Sequence, residues 1–357
     1  MIRAMKYIII GIFMFMALLA HGQAPKYSNE FLSVGVGSRA LSMANANVAL
    51  ANGVTAGYWN PAAMRMMKSP YDASIMHAEY FAGIAKYDYM GFAMKKDTSA
   101  AWGVSLLRFA VDDIPNTTEL IDQDGNIDYD RVSYFSAADY ALLFSYSRST
   151  SIPGLGIGAN VKIIYRNIGK FASAWGFGID AAVHYRMDKW NFAAMARDVT
   201  STFNAWSFNE EELAIEVEDS IYNIAPENAL ELTLPRLILG VSRDFLIYDK
   251  IGASVETDVV LTFDGKRNVL AGSDLLSLDP VIGLELDYNN FFFVRAGLGN
   301  IQQVQSFSGE SWSTQPNMGV GIKYRGITID YALTDIGDQS VALYSNVFTL
   351  SYSFGEK

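Results

Sequence analysis

From Tyr71 onward the chain consists of short segments in which polar and apolar residues alternate, and the connections between them are long and short in turn. We count fourteen such segments in the sequence. Connections after odd-numbered segments include the long stretches 111–133 and 199–234, whereas some after even-numbered segments shrink to single residues such as Asn290 and Arg325. An even, up-and-down barrel with tight turns at one end and long loops at the other has this arrangement. A water-soluble sandwich has no reason to sort its loops by parity.

The pattern therefore predicts an all-β fold, a 14-stranded antiparallel transmembrane β-barrel. The predicted strands cover residues 71–80, 86–95, 101–110, 134–147, 155–166, 173–186, 189–198, 235–245, 250–263, 280–289, 291–299, 316–324, 326–334 and 345–354.

Segment 173–186 shows the alternation clearly. Trp175, Phe177 and Ile179 occupy odd positions, whereas Gly176 and Asp180 occupy even ones. Successive side chains of a strand point to opposite faces, so one face suits hydrocarbon and the other a wet or packed lumen. Tyr and Trp at strand ends are typical of membrane interfaces. The competing interpretation is a half-buried soluble sheet, which does not explain the loop parity.

The amino terminus indicates export. Arg3 and Lys6 precede an apolar run over residues 7–19, which is followed by the small-residue stretch 20–22. This order of charged region, apolar core and cleavage site is typical of a secretory signal peptide. The run is too short for a stable transmembrane helix. We therefore expect a signal peptide over 1–22, an amino-terminal hatch or plug segment over 23–69, and an outer-membrane β-barrel over 70–357.

Composition excludes several classes of protein. The chain contains no cysteine, which rules out a lipoprotein anchor, disulfides and cysteine-ligated metals. Removal of residues 1–22 takes away Arg3 and Lys6 and moves the formal charge from −11 to −13. Binding a phosphate backbone needs clustered lysine and arginine, so nucleic acid is not an expected partner. No motif in the sequence calls for a cofactor.

Residues 31–64 differ in kind from the barrel because they lack the two-residue period and are rich in Gly, Ala, Ser and Asn. Ser38 is a candidate cap for a small-residue helix that would continue to Leu50 or Ala51. Such a helix has little apolar surface, but it could pack closely inside a lumen, where Asn45 and Asn47 would meet polar groups of the wall. The alternative is a flexible periplasmic leader.

Residues 35–64, GVGSRALSMANANVALANGVTAGYWNPAAM, resemble the amino-terminal signature of the PorV/PorQ family, outer-membrane proteins of the type IX secretion system. More distantly, they resemble the FadL family of long-chain fatty-acid transporters. The chain departs from the PorV/PorQ pattern at Ser42, Ala44 and Ala63, where that pattern commonly has glycine. The matching residues are Gly35, Gly37, Arg39, Ala40, Leu41, Met43, Ala46, Val48, Ala49, Tyr58, Trp59, Asn60, Pro61 and Ala62.

The resemblance implies a fourteen-stranded barrel whose amino-terminal hatch, with Asn60, Pro61 and Ala62, lies inside the lumen. Pro61 biases Asn60 away from helix, which suits a turn from the hatch toward the first strand. The implied function is that of an accessory protein of type IX secretion in the outer membrane of a Gram-negative, Bacteroidetes-like bacterium. Its partners would be membrane lipid, translocon subunits and the carboxy-terminal signal domains of cargo.

The alternative function is a FadL-like outer-membrane transporter of long-chain fatty acids or other hydrophobic molecules, which opens sideways through the barrel wall. This function predicts an apolar pocket for a hydrophobic ligand and a kinked strand. Glycine weakens a strand interior. Candidate weak points are Gly156, Gly158, Gly176 and Gly178.

Two of the long loops suggest further sites. Residues 122–130 space oxygen ligands like a calcium loop, with Asp122, Asp124, Asn126 and Asp128 as candidates, although Ile127 replaces the glycine of an EF-hand. A hairpin turn at Asp124 explains the same residues without metal, and we expect no metal site. Loop 199–234 carries many carboxylates and no lysine or arginine, which suits either a docking face for a basic partner or a solvated loop.

Catalysis has little support, so we predict that the protein is not an enzyme. After removal of the signal peptide only His77 and His184 remain, on different predicted strands and without an obvious Ser–Asp arrangement. Charges of both signs on lumen-side positions suggest a paired network that holds a plug. These positions are Lys162, Arg166, Asp180, Arg186, Glu256, Asp258, Glu285, Arg295, Lys323 and Asp330.

The first testable prediction concerns the mature amino terminus. Protein extracted from the membrane fraction of the native host should begin at Gln23, because the small-residue stretch 20–22 ends the signal peptide. Intact-mass measurement checks this. A mass that includes residues 1–22 would contradict the signal-peptide interpretation.

Overall fold

The computed structural model describes residues 28–121, 126–213, 215–217, 220–222, 229–306, 309–335 and 344–355. Within these residues fourteen long strands form one antiparallel sheet that closes on itself, because strand one pairs with strand fourteen from Tyr71↔Phe354 to Glu79↔Asn346. The predicted 14-stranded barrel is therefore confirmed. Strands one to fourteen are Tyr71–Tyr80, Ala85–Lys95, Ala100–Asn116, Ser133–Ser149, Leu155–Ile168, Ala172–Met187, Trp190–Arg197, Arg236–Tyr248, Ile251–Thr262, Ser277–Tyr288, Phe292–Ser306, Gly309–Tyr324, Ile327–Thr334 and Ser345–Phe354.

Several strands extend beyond their predicted ends toward the long loops. Strands three and four each run for 17 residues, with a register shift between Val111 and Ile114 where Asp113 adopts a φ of 56°. A bulge breaks the two-residue period, so the alternation stops being visible in the sequence at that point. Smaller elements lie in the connections: the strands Thr202–Phe208, Ile215–Val217, Ser220–Tyr222, Leu230–Thr233 and Ala271–Gly272, the α-helix Glu210–Leu213 and the 3₁₀ helix Tyr129–Arg131.

The barrel wall is apolar outside and polar or small inside. In strand six Trp175 and Phe177 are exposed on the outer face, whereas Asp180 and His184 are buried on the inner face. Aromatic pairs lie near both ends of the wall, for example Trp102 with Tyr146 at the tight-turn end. This is the pattern of a surface that meets hydrocarbon between two interfaces. No helix within the described residues is long and apolar enough to cross a membrane.

Residues 28–67, which we call the hatch, lie inside the barrel. They form the 3₁₀ helices Glu30–Ser33 and Pro61–Met66 and the α-helices Ser38–Ser42 and Ala56–Trp59. Inward-facing glycines of the wall allow the hatch backbone to approach closely: a Cβ added to Gly297 would lie 2.1 Å from the carbonyl carbon of Met43. The hatch therefore fits the lumen through backbone contact as well as through side chains.

The predicted helix from Ser38 to Leu50 or Ala51 is wrong beyond its first turn, and Ser38 is its first residue instead of its cap, because its hydroxyl donates to the Val347 carbonyl of strand fourteen. The helix ends at Ser42, and Ala44 and Asn45 adopt positive φ angles of 53° and 70°. Beyond this turn the backbone amides of residues 47–50 donate to carboxylates of the barrel wall instead of to helical carbonyls. Tertiary acceptors have overridden a weak local helix preference.

Replacement of Gly297 tests the contact between hatch and wall. Gly297→Val should destabilise the folded barrel by about 1–3 kcal/mol, because a side chain there overlaps the backbone of Met43. Ala296→Val is the matched control, since Ala296 is the next residue of strand eleven and is exposed on the outer face. Denaturant unfolding followed by gel mobility measures both. Equal stability of the two variants would contradict the close approach.

Candidate functional site

The glycines of the hatch motif sit where the backbone turns against the wall. Gly35 and Gly37 have φ angles of 104° and 85°, which L side chains rarely adopt. A Cβ on Gly35 would also lie 2.5 Å from Asn45 Oδ1. The amide of Gly37 approaches the sulfur of Met76 on strand one at 3.0 Å. These positions need glycine for conformation and for space.

Arg39 of the motif clasps the hatch to strand ten. Its Nε and Nη2 donate to the two carboxylate oxygens of Glu285 at 2.8 and 2.9 Å, and its Nη1 donates to Asn47 Oδ1 and the Leu50 carbonyl. Burial opposes the charge of Arg39, but the Glu285 carboxylate outweighs it and raises the pKa of Arg39 above its ordinary value. The bidentate geometry fixes the position of this turn of the hatch.

Arg295 and Asp330 extend this clasp across the wall. Arg295 donates to Glu285 at 2.5 Å and to Asp330 at 2.7 Å. A second inward cluster joins Lys162 to Asp180 at 2.8 Å and to Asp198 at 2.5 Å. The predicted lumen-side charges thus include two buried paired networks, of which the first reaches the hatch directly.

Tyr58 and Trp59 pack edge-on at 4.9 Å in the buried interior of the hatch. The Tyr58 hydroxyl donates to the Leu32 carbonyl at 2.6 Å, and Trp59 Nε1 donates to the Val36 carbonyl at 2.8 Å. The guanidinium of Arg197, on strand seven, lies over the Tyr58 ring at 4.3 Å and donates to the same Leu32 carbonyl. The aromatic pair therefore ties the first residues of the hatch to strand seven.

Asn60, Pro61 and Ala62 form the turn at the far side of the hatch. Asn60 caps the helix Pro61–Met66 by accepting from the Ala62 amide, and its Nδ2 donates to the Val48 and Val183 carbonyls. Pro61 stands at the first helical position, where its missing N–H costs nothing. All three side chains are buried, and the backbone of this turn packs against the wall at Gly158.

Two carboxylates of strand nine bind the middle of the hatch. Asp258 Oδ2 accepts from the amides of Asn47 and Val48 at 2.9 and 3.0 Å. Glu256 accepts from the amides of Ala49 and Leu50 at 2.5 and 2.9 Å. Both carboxyl groups are buried, and each of these hydrogen bonds contributes about 0.5–1.5 kcal/mol, or about 1.5–3 kcal/mol where the acceptor is ionised. Glu256 and Asp258 thus bind four successive amides, and neither forms an ion pair among the described residues.

A cavity of about 720 Å³ lies between the hatch and the long-loop end of the barrel. Its floor includes Phe31 and Trp59 of the hatch, and its wall includes Tyr80 and Phe109 on strands one and three. Its volume falls within the range of small-molecule sites.

Arginine–carboxylate groups line the other side of this cavity. Arg166 pairs with Asp139 and Glu231, while Arg236 and Arg267 share Glu30 of the hatch at 3.1 and 3.0 Å. Burial opposes the charge of Arg267, but Asp264 and Glu30 raise its pKa above the ordinary value. The predicted apolar pocket is thus a cavity that has charged as well as aromatic lining.

Strand seven is interrupted where it passes this region. Ala196 pairs with Ala181 of strand six, and the chain rejoins strand six only at Phe203, opposite Phe177. Residues 197–202 therefore lie opposite residues 178–180, and Asp198 and Ser201 have φ angles of 57° and 56°. The neighbouring segment of the chain is interrupted at the same level. The short strand Leu230–Thr233 pairs with Thr202–Phe208, and strand eight begins at Arg236, after Pro235, which has no N–H to donate.

The interruption is closed from inside by the first residues of the hatch. A small cavity of about 20 Å³ behind it is lined by Asp198 and Thr233 and shares Asn29 and Arg197 with the large cavity. Asn29 bonds to Thr233 at 2.7 Å and to Asn204 at 3.0 Å, and Thr233 also bonds to Ser28 at 2.9 Å. Residues 28–33, which we call the gate segment, thus stand between the large cavity and the interruption of strand seven, which we call the gap. The Val199 amide bridges this gap by donating to the Ile179 carbonyl at 2.9 Å.

The four glycines predicted as weak points divide into two pairs. An added Cβ on Gly156 or Gly158 would overlap Arg65 or Ala62, so these glycines make room for the hatch. On Gly176 or Gly178 it would overlap Asn204 or Thr202, just beyond the interruption. The second pair therefore lies beside the kinked strand, but the kink itself is on strand seven.

The two histidines do not line the cavity. His77 lies on the outer face of strand one and pairs with Asp88, while buried His184 bonds to the Ala49 carbonyl. Of the calcium candidates, Asp122 and Asp124 fall outside the described residues, and Asp128 accepts from the Asp130 amide and pairs with Arg131. Much of the acidic stretch 214–228 also lies outside the described side chains, so its role stays a prediction.

Solved structures with this architecture include hydrocarbon transporters. The Ralstonia pickettii toluene transporter TbuX aligns over 90% of this chain and 99% of its own length, with a TM-score of 0.53 and 14% identity. CymD, a monoaromatic hydrocarbon channel, matches 90% and 98%, with a TM-score of 0.57 and 12% identity. A Pseudomonas aeruginosa FadL homologue aligns over 90% of this chain and 98% of its own length, with a TM-score of 0.50 and 11% identity. The chain has the barrel fold of these proteins. No family model and no curated protein matches the sequence.

The sequence pattern placed Arg166 and Asp258 of the cavity lining on the lumen side, but it missed the other charged residues of the cavity and the gate. Glu30, Arg236 and Arg267 meet from the hatch, strand eight and a loop, so no local spacing connects them. Asp198 was assigned to the end of strand seven, although its positive φ ends that strand at Arg197. The only local signal of this turn was that Asp198 is an aspartate, a residue type that adopts positive φ more readily than most, within a run of small and polar residues.

Glu256 offers a test of how the hatch is held. Glu256→Ala leaves the amides of Ala49 and Leu50 without acceptors, at about 1–3 kcal/mol for each buried N–H. Hydrogen exchange of residues 47–50 should then accelerate by about tenfold or more, since 1.4 kcal/mol corresponds to tenfold. Glu79→Ala, an exposed carboxylate on strand one, is the control. Unchanged exchange in Glu256→Ala would show that these bonds do not hold the hatch.

Proposed function

We propose that this protein is an outer-membrane barrel that admits small hydrophobic or amphipathic molecules into its lumen and releases them sideways through the gap in strand seven. The observation that carries the proposal is that the large cavity lies next to the small one behind the gap and shares Asn29, Ser33, Arg197 and Arg236 with it. The transporter fold of the similar structures supports it. No catalytic step is part of this function.

The outer face of the barrel supports a location in the outer membrane of a Gram-negative bacterium. Apolar residues cover that face, and aromatic pairs such as Tyr165 with Trp175 lie near the long-loop end. The predicted signal peptide gives the route of export. With tight turns in the periplasm, the long loops and the large cavity face the exterior.

The gate segment is the part of the hatch that would have to move. Ser28 and Asn29 are held by neutral hydrogen bonds to Thr233 and Asn204, which contribute about 0.5–1.5 kcal/mol each. The middle of the hatch is held instead by the buried carboxylates Glu256, Asp258 and Glu285. Displacement of residues 28–33 would also break the contacts of Arg197, Arg236 and Arg267 with Leu32, Ser33 and Glu30. It would open the gap while the rest of the hatch stays in place.

A reversible disulfide tests this route, because the chain has no native cysteine. Ser28→Cys with Thr233→Cys replaces two γ-oxygens that lie 2.9 Å apart and should lock the gate segment when oxidised. Uptake of radiolabelled toluene, oleate and 3-phenylpropylamine by cells that produce this variant should fall to the level of cells without the protein. Reduction should restore it.

Ser74→Cys with Ser351→Cys is the matched control. The γ-oxygens of the two native serines lie 2.8 Å apart across strands one and fourteen, away from the gap. Oxidation of this variant should crosslink the two strands without loss of uptake. Equal uptake by the locked and unlocked gate variants would contradict sideways release. Absence of protein-dependent uptake for every probe would contradict the transport function.

A second candidate is accessory function in type IX secretion, with translocon subunits or cargo signal domains as partners. The resemblance of the motif residues Tyr58 to Ala62 to the PorV/PorQ signature favours it, and that resemblance alone carries it. Deletion of the protein should then change which proteins reach the cell surface. Unchanged surface and secreted proteomes would contradict this candidate and leave transport in place.

A further inference from the structure

The large cavity carries more acidic than basic groups. Six carboxylate residues and four arginines line it. The field of such a lining favours cations over anions, and low-dielectric walls strengthen it. The distribution of these charges decides which of them are available to a ligand.

The arginines are already engaged within the protein. Arg166 donates to Asp139 and Glu231 and stacks on Trp206 at 5.0 Å. Arg236 and Arg267 donate to Glu30, and Arg197 donates to the hatch at Leu32 and Tyr58. An anionic ligand would have to displace these partners.

Two lining carboxylates, Asp258 and Asp279, are not ion-paired in the part of the chain that the structure describes. Each has one carboxylate oxygen without a hydrogen-bond partner there. Asp279 follows Ser277 on the inner face of strand ten, and both line the cavity with Val281. Asp258 is buried and Asp279 is half-buried. A carboxylate removed from water without a cation is costly, so this side of the cavity favours a positively charged group.

Aromatic rings stand on another part of the wall. Trp59, Tyr80 and Phe109 line the same cavity from the hatch and from strands one and three. Aromatic faces attract cations and also accept apolar bodies. A molecule with an ammonium group at one end and an apolar body at the other matches both sides.

We infer that the cavity is a binding site for small organic cations, with the ammonium group beside Asp279 and the apolar body against Trp59, Tyr80 and Phe109. The inference deepens the proposed transport function, because it names the class of molecule that the cavity selects. Neutral hydrocarbons and carboxylates bind less well, since neither satisfies the acidic side.

Three ligands with the same phenylpropyl body test the charge preference on the full chain in detergent. 3-Phenylpropylamine, 3-phenylpropanol and 3-phenylpropanoate are titrated by calorimetry. The amine should bind about tenfold or more tightly than the alcohol, a difference of about 1.4 kcal/mol, and the carboxylate should bind most weakly. Asp279→Asn should weaken amine binding about tenfold and leave alcohol binding unchanged, because it removes the charge without changing the shape.

Asp287→Asn is the matched control, because Asp287 lies on the same strand at the tight-turn end, outside the cavity lining. It should leave the amine affinity unchanged. Equal binding of amine and alcohol, preference for the carboxylate, absence of binding by all three, or an amine affinity unaffected by Asp279→Asn would each overturn the inference. Uptake of neutral molecules in the disulfide experiment does not depend on any of these results, so either proposal can fail without the other.

Discussion

The arrangement of this lumen depends on buried carboxylates that hold a segment with almost no regular structure of its own. Glu256 and Asp258 on strand nine accept four successive hatch amides, and Glu285 on strand ten clasps Arg39. A short, small-residue segment cannot bury enough apolar surface to stay ordered by itself. The wall supplies the acceptors that the hatch lacks, and the hatch supplies the donors that make buried carboxylates tolerable.

The hatch therefore has two parts that are held by different kinds of interaction. Its middle is bound through buried carboxyl groups and the Arg39–Glu285 ion pair, whereas the gate segment is bound at Ser28 and Asn29 through neutral hydrogen bonds beside the interruption of strand seven. Glu30 adds ion pairs to Arg236 and Arg267 that are partly exposed to the cavity and so are weaker than buried ones. The gate segment therefore lies beside the interruption of strand seven.

The strands could be predicted from the sequence because a barrel wall imposes a strict two-residue period and sorts its loops by length. Bulges such as the one at Asp113 shifted the ends, since they break that period. The hatch helix was predicted too long because its acceptors, Glu256 and Asp258, lie about two hundred residues away in the sequence. The motif residues Arg39 and Tyr58 were found through resemblance, but their partners Glu285 and Arg197 appear only in the fold.

The central claim is that the gate segment opens while the middle of the hatch stays fixed. Hydrogen–deuterium exchange of the protein in lipid nanodiscs tests it most directly, with the amides of residues 28–33 compared with those of residues 47–50. The account predicts fast exchange in the first group and strong protection in the second, with protected barrel strands. Exchange of both groups at one common rate would contradict it, because the hatch would then leave or stay as a single unit.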